Sequence, residues 1–285
     1  MIVAQTEERF KQEEGFEKDG TKRLPICFCL DTSGSMRKNL SKNSTRIGEP
    51  VFVDGKWRRM VKDGVSALSE LKRGMKNFFK NIENDPIAAS AAEIAIVTFD
   101  DYASSILDFC RLRDFSEKVI DGIDTRDNTY LGEGLSMALD KLEDSIMKYR
   151  SFGIGNYPPW LVVMSDGEPN GSDYELEMAK KRIKAMVKRE NLAVIPIGIG
   201  SGANMKCLSQ LSPGRDATGI YDVNFDGLFE EMTKYVDGLS KMTDGSGVIP
   251  DFSRKKRRSE FAVGDEMQDT KERPYGIEQI IIFPD

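Results

Sequence analysis

In CFCLDTSGSM, residues 27–36, an apolar run passes without a break into Asp31, Ser33 and Ser35. From Leu24 to Leu30 the run shows no polar alternation, the pattern of a strand buried on both faces in a parallel sheet. A strand that only had to pack would not need three small oxygen-bearing side chains at alternate positions directly behind it. The strand's carboxyl end therefore carries the functional question.

Outward from that strand the pattern becomes regular. EIAIVTFD, ending at Asp100, reads as a second buried strand, and ASSILDFCRL, residues 103–112, as an antiparallel edge strand, because the connection is too short for a crossover. WLVVMSD, ending at Asp166, LAVIPIGIG, residues 192–200, and GIYDV, residues 219–223, supply three more strands. Helical spacing joins Val65, Leu68, Leu71, Met75, Phe78, Phe79 and Ile82, and again Leu135, Ala138, Leu139, Leu142, Ile146 and Tyr149. A third helix carries Leu176, Ala179, Ile183, Met186 and Val187, and a short one spans Met205 to Leu211. The last helix puts Phe225, Leu228, Phe229, Met232, Tyr235, Val236 and Leu239 on one face. Strands alternating with amphipathic helices predict an α/β fold: an open, mostly parallel, doubly wound sheet with one antiparallel edge strand and helices on both faces. The expected divisions are an arm over residues 1–22, a domain over 23–242 and a linker and tail over 243–285. Within the domain, residues 37–60 read as an insertion whose Asp54-Gly55 step signals a hairpin.

The 285 residues are 39% hydrophobic and 31% charged, enough for a core, and the net charge of -6 argues against binding nucleic acid through a general basic field. The chain has no histidine, which excludes Ser-His-Asp and Cys-His catalysis and the usual histidine-containing zinc sites. Its first residues carry charges where a secretory leader needs an apolar stretch, and no run of about 18 apolar residues occurs, so a cytosolic setting with reduced thiols and no membrane contact is expected. Cys27 and Cys29 point to one face of their strand, either as small core residues or, with Cys110 and Cys207, as zinc ligands. The basic cluster Arg254 to Arg258 reads as a solvated run or a contact for an acidic partner, and Ile280 to Phe283 is apolar enough to dock on this chain or another.

In open α/β sheets ligands gather beyond the carboxyl ends of the strands, where strand order reverses. Asp31 and Asp166 lie at two such ends and would repel unless a cation or protons came between them. Ser33 and Ser35 add neutral oxygens, a donor set that suits magnesium or manganese.

The motif DTSGSM resembles the DxSxS motif of von Willebrand factor A domains, where it forms a metal-ion-dependent adhesion site. DNTYLGEGL, with Thr129, SDGEP, with Asp166, and IGIGSGAN also resemble that family, over roughly residues 23–242. The resemblance implies that Ser33, Ser35 and Thr129 are direct oxygen ligands of Mg2+ or Mn2+, and that Asp31 and Asp166 bind directly or hold coordinated waters. It implies a protein partner that supplies a carboxylate to the metal and a last helix, Phe225 to Ser240, that shifts when the site fills; residues 37–60, an insertion that departs from the family, are expected to choose the partner, because loops carry specificity. Asp127 departs from the family, standing where a glycine is usual two positions before the threonine. Asp100 is expected to be a turn residue. Among relatives of this size the chain resembles bacterial tellurium-resistance proteins, associated with kinase and phosphatase partners, and subunits serving ATPases of the chelatase type. The competing expectation is a magnesium-dependent phosphatase-like hydrolase with Asp31 as nucleophile, although Ser33 stands where such enzymes place a second acid.

Overall fold

The computed structural model describes residues 20–39, 45–53, 56–62, 64–200, 202–213, 216–220, 225–240 and 278–281. Strand β1 (Leu24–Asp31) leads through a one-turn 3-10 helix (Gly34–Arg37) to the hairpin β2 (Thr45–Val53) and β3 (Lys56–Lys62). Helices α1 (Ala67–Glu83) and α2 (Pro86–Ala91) precede β4 (Ala92–Phe99), β5 (Ala103–Arg111) and the short α3 (Lys118–Asp121). Then follow α4 (Leu131–Ser151), β6 (Trp160–Ser165), α5 (Asp173–Glu190), β7 (Ala193–Ile199), α6 (Met205–Ser209), β8 (Thr218–Ile220), α7 (Phe225–Ser240) and β9 (Glu278–Ile281).

Six strands form one sheet in the order β5-β4-β1-β6-β7-β8, parallel except for β5, which pairs antiparallel with β4 at the edge. The expected architecture is thus observed. Every residue of β1, β4, β6 and β7 is buried, because helices cover both faces. Alternation along β1 sends Leu24, Ile26, Phe28 and Leu30 to the side of α1 and α7, and Cys27 and Cys29 to the side of α4 and α5. On the first side Phe28 meets Phe78, Phe79 and Phe229 at centroid distances of 5.8, 5.9 and 6.3 Å. Both cysteines are core residues, and burial pushes the Cys27 thiol up to about 12. Among the described residues no group of three or more cysteine, histidine or acidic side chains could hold a metal, so the zinc alternative gains no support.

Several expectations shift in detail. Val65 precedes α1 rather than joining its face, because Ser66 caps the helix by accepting from the Ser69 amide at 3.0 Å. The short helix ends at Ser209, and the expected strand GIYDV is described only through Ile220, with 221–223 outside the described residues. Helices α2 and α3 are too short for periodicity to announce. The hairpin pairs Val53 with Lys56, as the Asp54-Gly55 step predicts, but its second strand continues to Lys62, past the expected limit at residue 60. Its neck is closed by pairing of Asn39 with Ser66 and by the Val65 amide donating to the Asn39 side chain at 3.0 Å. Glu278–Ile281 adds to β3 as a parallel strand, so the part of the apolar C-terminal stretch that is described docks on this chain; residues 282 and 283 and the basic cluster lie outside the described residues.

At the amino end of β1 the Arg23 side chain is fully buried, 3.4 Å from Glu93. Arg23 also donates to the Ser90 carbonyl at 3.0 Å, while Glu93 accepts from the Tyr149 hydroxyl at 2.7 Å. Burial raises the Glu93 carboxyl above its ordinary value despite the guanidinium beside it. Breaking a buried pair strands the remaining charge. Glu93→Leu is expected to cost about 3 kcal/mol in urea denaturation, and the double substitution Arg23→Met with Glu93→Leu to recover most of that loss.

Candidate metal centre

Strand order reverses about β1, with β4 on one side and β6 on the other, and the crevice opens at their carboxyl ends. The β1–β6 register, Leu30 beside Met164, places Asp31 next to Ser165. Asp31 is buried and both its oxygens are engaged: Oδ1 accepts from the Ser33 amide at 2.8 Å and Oδ2 from the Ser165 hydroxyl at 2.6 Å. This bond to Ser33 turns the chain directly after the strand and starts the one-turn helix carrying Ser35. The hydroxyls of Ser33 and Ser35 lie 2.9 Å apart, and Ser35 donates to Oδ1 of Asp166 from the end of β6.

Thr129 arrives on a third loop, just before α4. Its amide donates to the Asn170 side chain at 2.8 Å, and the Asn170 amide returns a bond to the Thr129 carbonyl at 3.2 Å. Asn128 beside it is held by Asp101, whose Oδ1 accepts from the Asn128 amide at 3.0 Å and side chain at 2.6 Å. Two glycines set how closely α4 approaches: a Cβ on Gly132 would lie 2.6 Å from the Leu176 amide nitrogen, and one on Gly134 would lie 2.7 Å from the Phe99 ring. The hydroxyls converge on the space above Gly167, where a Cβ would stand 3.5 Å from Ser35 Oγ and 3.9 Å from Thr129 Oγ1.

The five candidate residues named from the sequence, Asp31, Ser33, Ser35, Thr129 and Asp166, therefore gather at one place from three loops. Their oxygens are two carboxylates and three hydroxyls, which fit a hard divalent cation. Electrostatics agree with that fit: burial, and then the Asp166 carboxylate, push Asp31 up to about 7.

Asp127 is exposed, and its carboxylate oxygen would lie 3.8 Å from a Cβ on Gly34, beside the first loop. Asp100 is a turn residue, as expected, and more: Oδ2 accepts from the Thr32 hydroxyl at 2.8 Å, while its backbone carbonyl accepts from the Tyr130 amide at 3.1 Å, linking the first loop to the threonine loop. Thr32, Asp101, Asn128, Ser165 and Asn170 escape sequence reasoning. Ser165 could have been noticed, since a strand buried on both faces has little use for a serine at its end. The asparagines had no such signal, because their partners are up to 42 residues away.

A Cβ on Gly132 would push α4 away from α5 and carry Thr129 with it; Gly132→Ala is expected to lower the thermal midpoint and weaken Mn2+ binding at least tenfold, measured by titration calorimetry. Because Asp31 holds its proton more tightly folded than unfolded, its contribution is full below about pH 4 and declines as pH rises toward about 7. In chelator-treated protein the unfolding free energy is expected to fall across that window, and Asp31→Asn to flatten the fall, read by urea denaturation at successive pH values.

A family model described as von Willebrand factor type A domain matches residues 26–234. Among solved structures, a von Willebrand factor type A protein from Catenulispora acidiphila is 15% identical with a TM-score of 0.53, the match covering 76% of this chain and 43% of that one. The von Willebrand domain of a type V pilus tip protein from Porphyromonas gingivalis is 12% identical with a TM-score of 0.56, over 79% of this chain and 98% of that one. A minor pilin from Streptococcus sanguinis is 14% identical with a TM-score of 0.50, over 78% and 62%. The chain thus spans less than two thirds of two of these three, and at such identities the likeness concerns the fold. No curated protein sequence matches the chain.

Proposed function

The chain belongs to the von Willebrand factor type A domain family, a metal-dependent protein-interaction fold, and from that premise we propose that it is a binding module whose adhesion-type metal site engages an acidic group of a protein partner. The observation that carries this reading is the gathering of Asp31, Ser33, Ser35, Thr129 and Asp166 from three loops, with Ser35 and Thr129 facing each other across Gly167 and two carboxylates in one buried space. Ser33, Ser35 and Thr129 would hold the ion directly, and Asp31 and Asp166 would bind it directly or through water. When bound, Mg2+ or Mn2+ supplies a positive centre with a replaceable water, which a partner's carboxylate can take. Asp31 orients the site through the Ser33 amide and the Ser165 hydroxyl. Asn170 and Asp101 hold the Thr129 loop, so the donors need little rearrangement.

The proposed organisation is an arm over 1–22, the domain over 23–242 and a tail over 243–285. Residues 37–60 choose the partner, a role supported by their position directly after the one-turn helix that carries Ser35. The setting proposed is a cytosolic bacterial complex, either a kinase- and phosphatase-associated response of the tellurium-resistance type or the adaptor of a chelatase-type ATPase. Four free cysteines accord with a reducing compartment, and no helix among the described residues is long and apolar enough to cross a membrane. The hydrolase alternative is disfavoured because Ser33 stands where such enzymes place a second acid.

Titration calorimetry with MgCl2 and MnCl2 is expected to show one site, abolished by Asp31→Ala and weakened at least tenfold by Thr129→Ala. Absence of binding by the folded wild-type protein would end this reading. Turnover of a phosphate ester in Mg2+, lost on Asp31→Asn, would favour the hydrolase.

A further inference from the structure

Arg126 lies on the rim of this centre, in the loop that leads to Thr129. Its backbone is fixed to the site: the Arg126 amide donates to the Thr32 carbonyl at 2.8 Å, and its own carbonyl would lie 3.3 Å from a Cβ on Gly34, between the two motif serines. Arg37 ties down the residue before it by donating to the Thr125 carbonyl at 3.0 Å. The guanidinium stacks on the Tyr102 ring, 4.7 Å from its centroid, with the Arg126 side chain 54% exposed and Tyr102 44% exposed.

An exposed arginine usually samples many rotamers; here an aromatic platform contributed by the β4–β5 turn narrows them. Asp100 is the acid beside it, but 3.8 Å separates its Oδ2 from Nε, and that oxygen already accepts from Thr32. The neighbouring Asp101 is taken up by Asn128. The other acids of this loop are exposed Asp127 and Asp124, the latter accepting from the Thr125 amide at 2.7 Å. The Arg126 side chain is half exposed, and among the described residues no hydrogen bond of its two terminal nitrogens is seen.

We propose that Arg126, held on Tyr102, is a second subsite that binds another oxyanion of the same partner, so that the module selects segments with two acidic groups rather than one. This inference rests on the metal-site reading above. The fork geometry suits a carboxylate or a phosphoryl group equally, since both offer two coplanar acceptors.

The test uses the full chain in MgCl2 and three families of synthetic peptides. One carries a single aspartate, another adds a second aspartate at successive positions, and the last adds phosphoserine in its place. Fluorescence anisotropy is expected to show EDTA-sensitive binding of all three, with one spacing of the second oxyanion tighter by on the order of tenfold. The aspartate and phosphoserine series separate the two sources. Arg126→Ala should erase that gain, with Mn2+ affinity and single-aspartate binding retained. Arg126→Lys should keep only part of it, and Tyr102→Leu should reduce it although the charge remains. A urea midpoint for each variant shows whether it is folded. Single-aspartate binding with no benefit from any second oxyanion, or a benefit that survives Arg126→Ala, would overturn the subsite alone. Failure of every peptide to bind in a metal-dependent way would overturn the subsite together with the reading beneath it.

Discussion

The carboxylate of Asp31 is buried at the end of a strand that is itself buried on both faces, and much of the molecule is arranged around the cost of that placement. A charge in such a position must be hydrogen-bonded, protonated or faced by a cation. The fold supplies the first remedy through Ser33 and Ser165, and the nearby Asp166 adds to the burial that holds the Asp31 proton more tightly. The bond to the Ser33 amide also decides where the chain turns, and so where Ser35 and Gly34 fall. Strand, turn and donor set are one device.

The layers around the sheet explain why the device can hold its shape. Helix α4 comes close enough to β4 and α5 for glycine alone to fit at 132 and 134, and that approach delivers Thr129 to the same few ångströms as the two serines. A looser packing would leave the threonine loop free to relax away from two acids that repel each other. At the opposite end of β1, Arg23 and Glu93 bury a second charged arrangement, in which the acid is faced by an arginine and a tyrosine hydroxyl. The contrast is physical: at one end of the sheet an arginine faces the acid, and at the other two carboxylates share one buried space with three hydroxyls.

Asp31, Ser33, Ser35 and Asp166 drew notice as polar residues at the ends of apolar runs, whereas Thr129 was reached only through the family resemblance of DNTYLGEGL. The sheet was legible, since its buried strands read as unbroken apolar runs and its edge strand follows from a connection too short to cross over. The lesser parts of the fold were less legible. Helices of six and four residues, α2 and α3, leave no periodic trace, and Val65 sits on an apolar stripe yet outside the helix because a serine cap follows it. The parallel pairing of β9 with β3 joins segments more than two hundred residues apart, beyond what any local signal encodes.

By itself the amino-acid order determined that this chain folds as a doubly wound sheet and that hydroxyls and carboxylates, with no histidine, stand at its strand ends. Tertiary structure alone decided which acids do what. Asp31 and Asp166 share a buried space, whereas Asp100 and Asp101 are spent on Thr32 and Asn128, although all four follow or end buried strands. It also decided that Asn170 steadies Thr129 and that Tyr102 lies under Arg126. Pattern reports which face of an element is apolar, a property of neighbours three or four residues away. The partner of a polar side chain depends instead on how loops from distant elements are brought into register, and that is set by the packing of the whole domain.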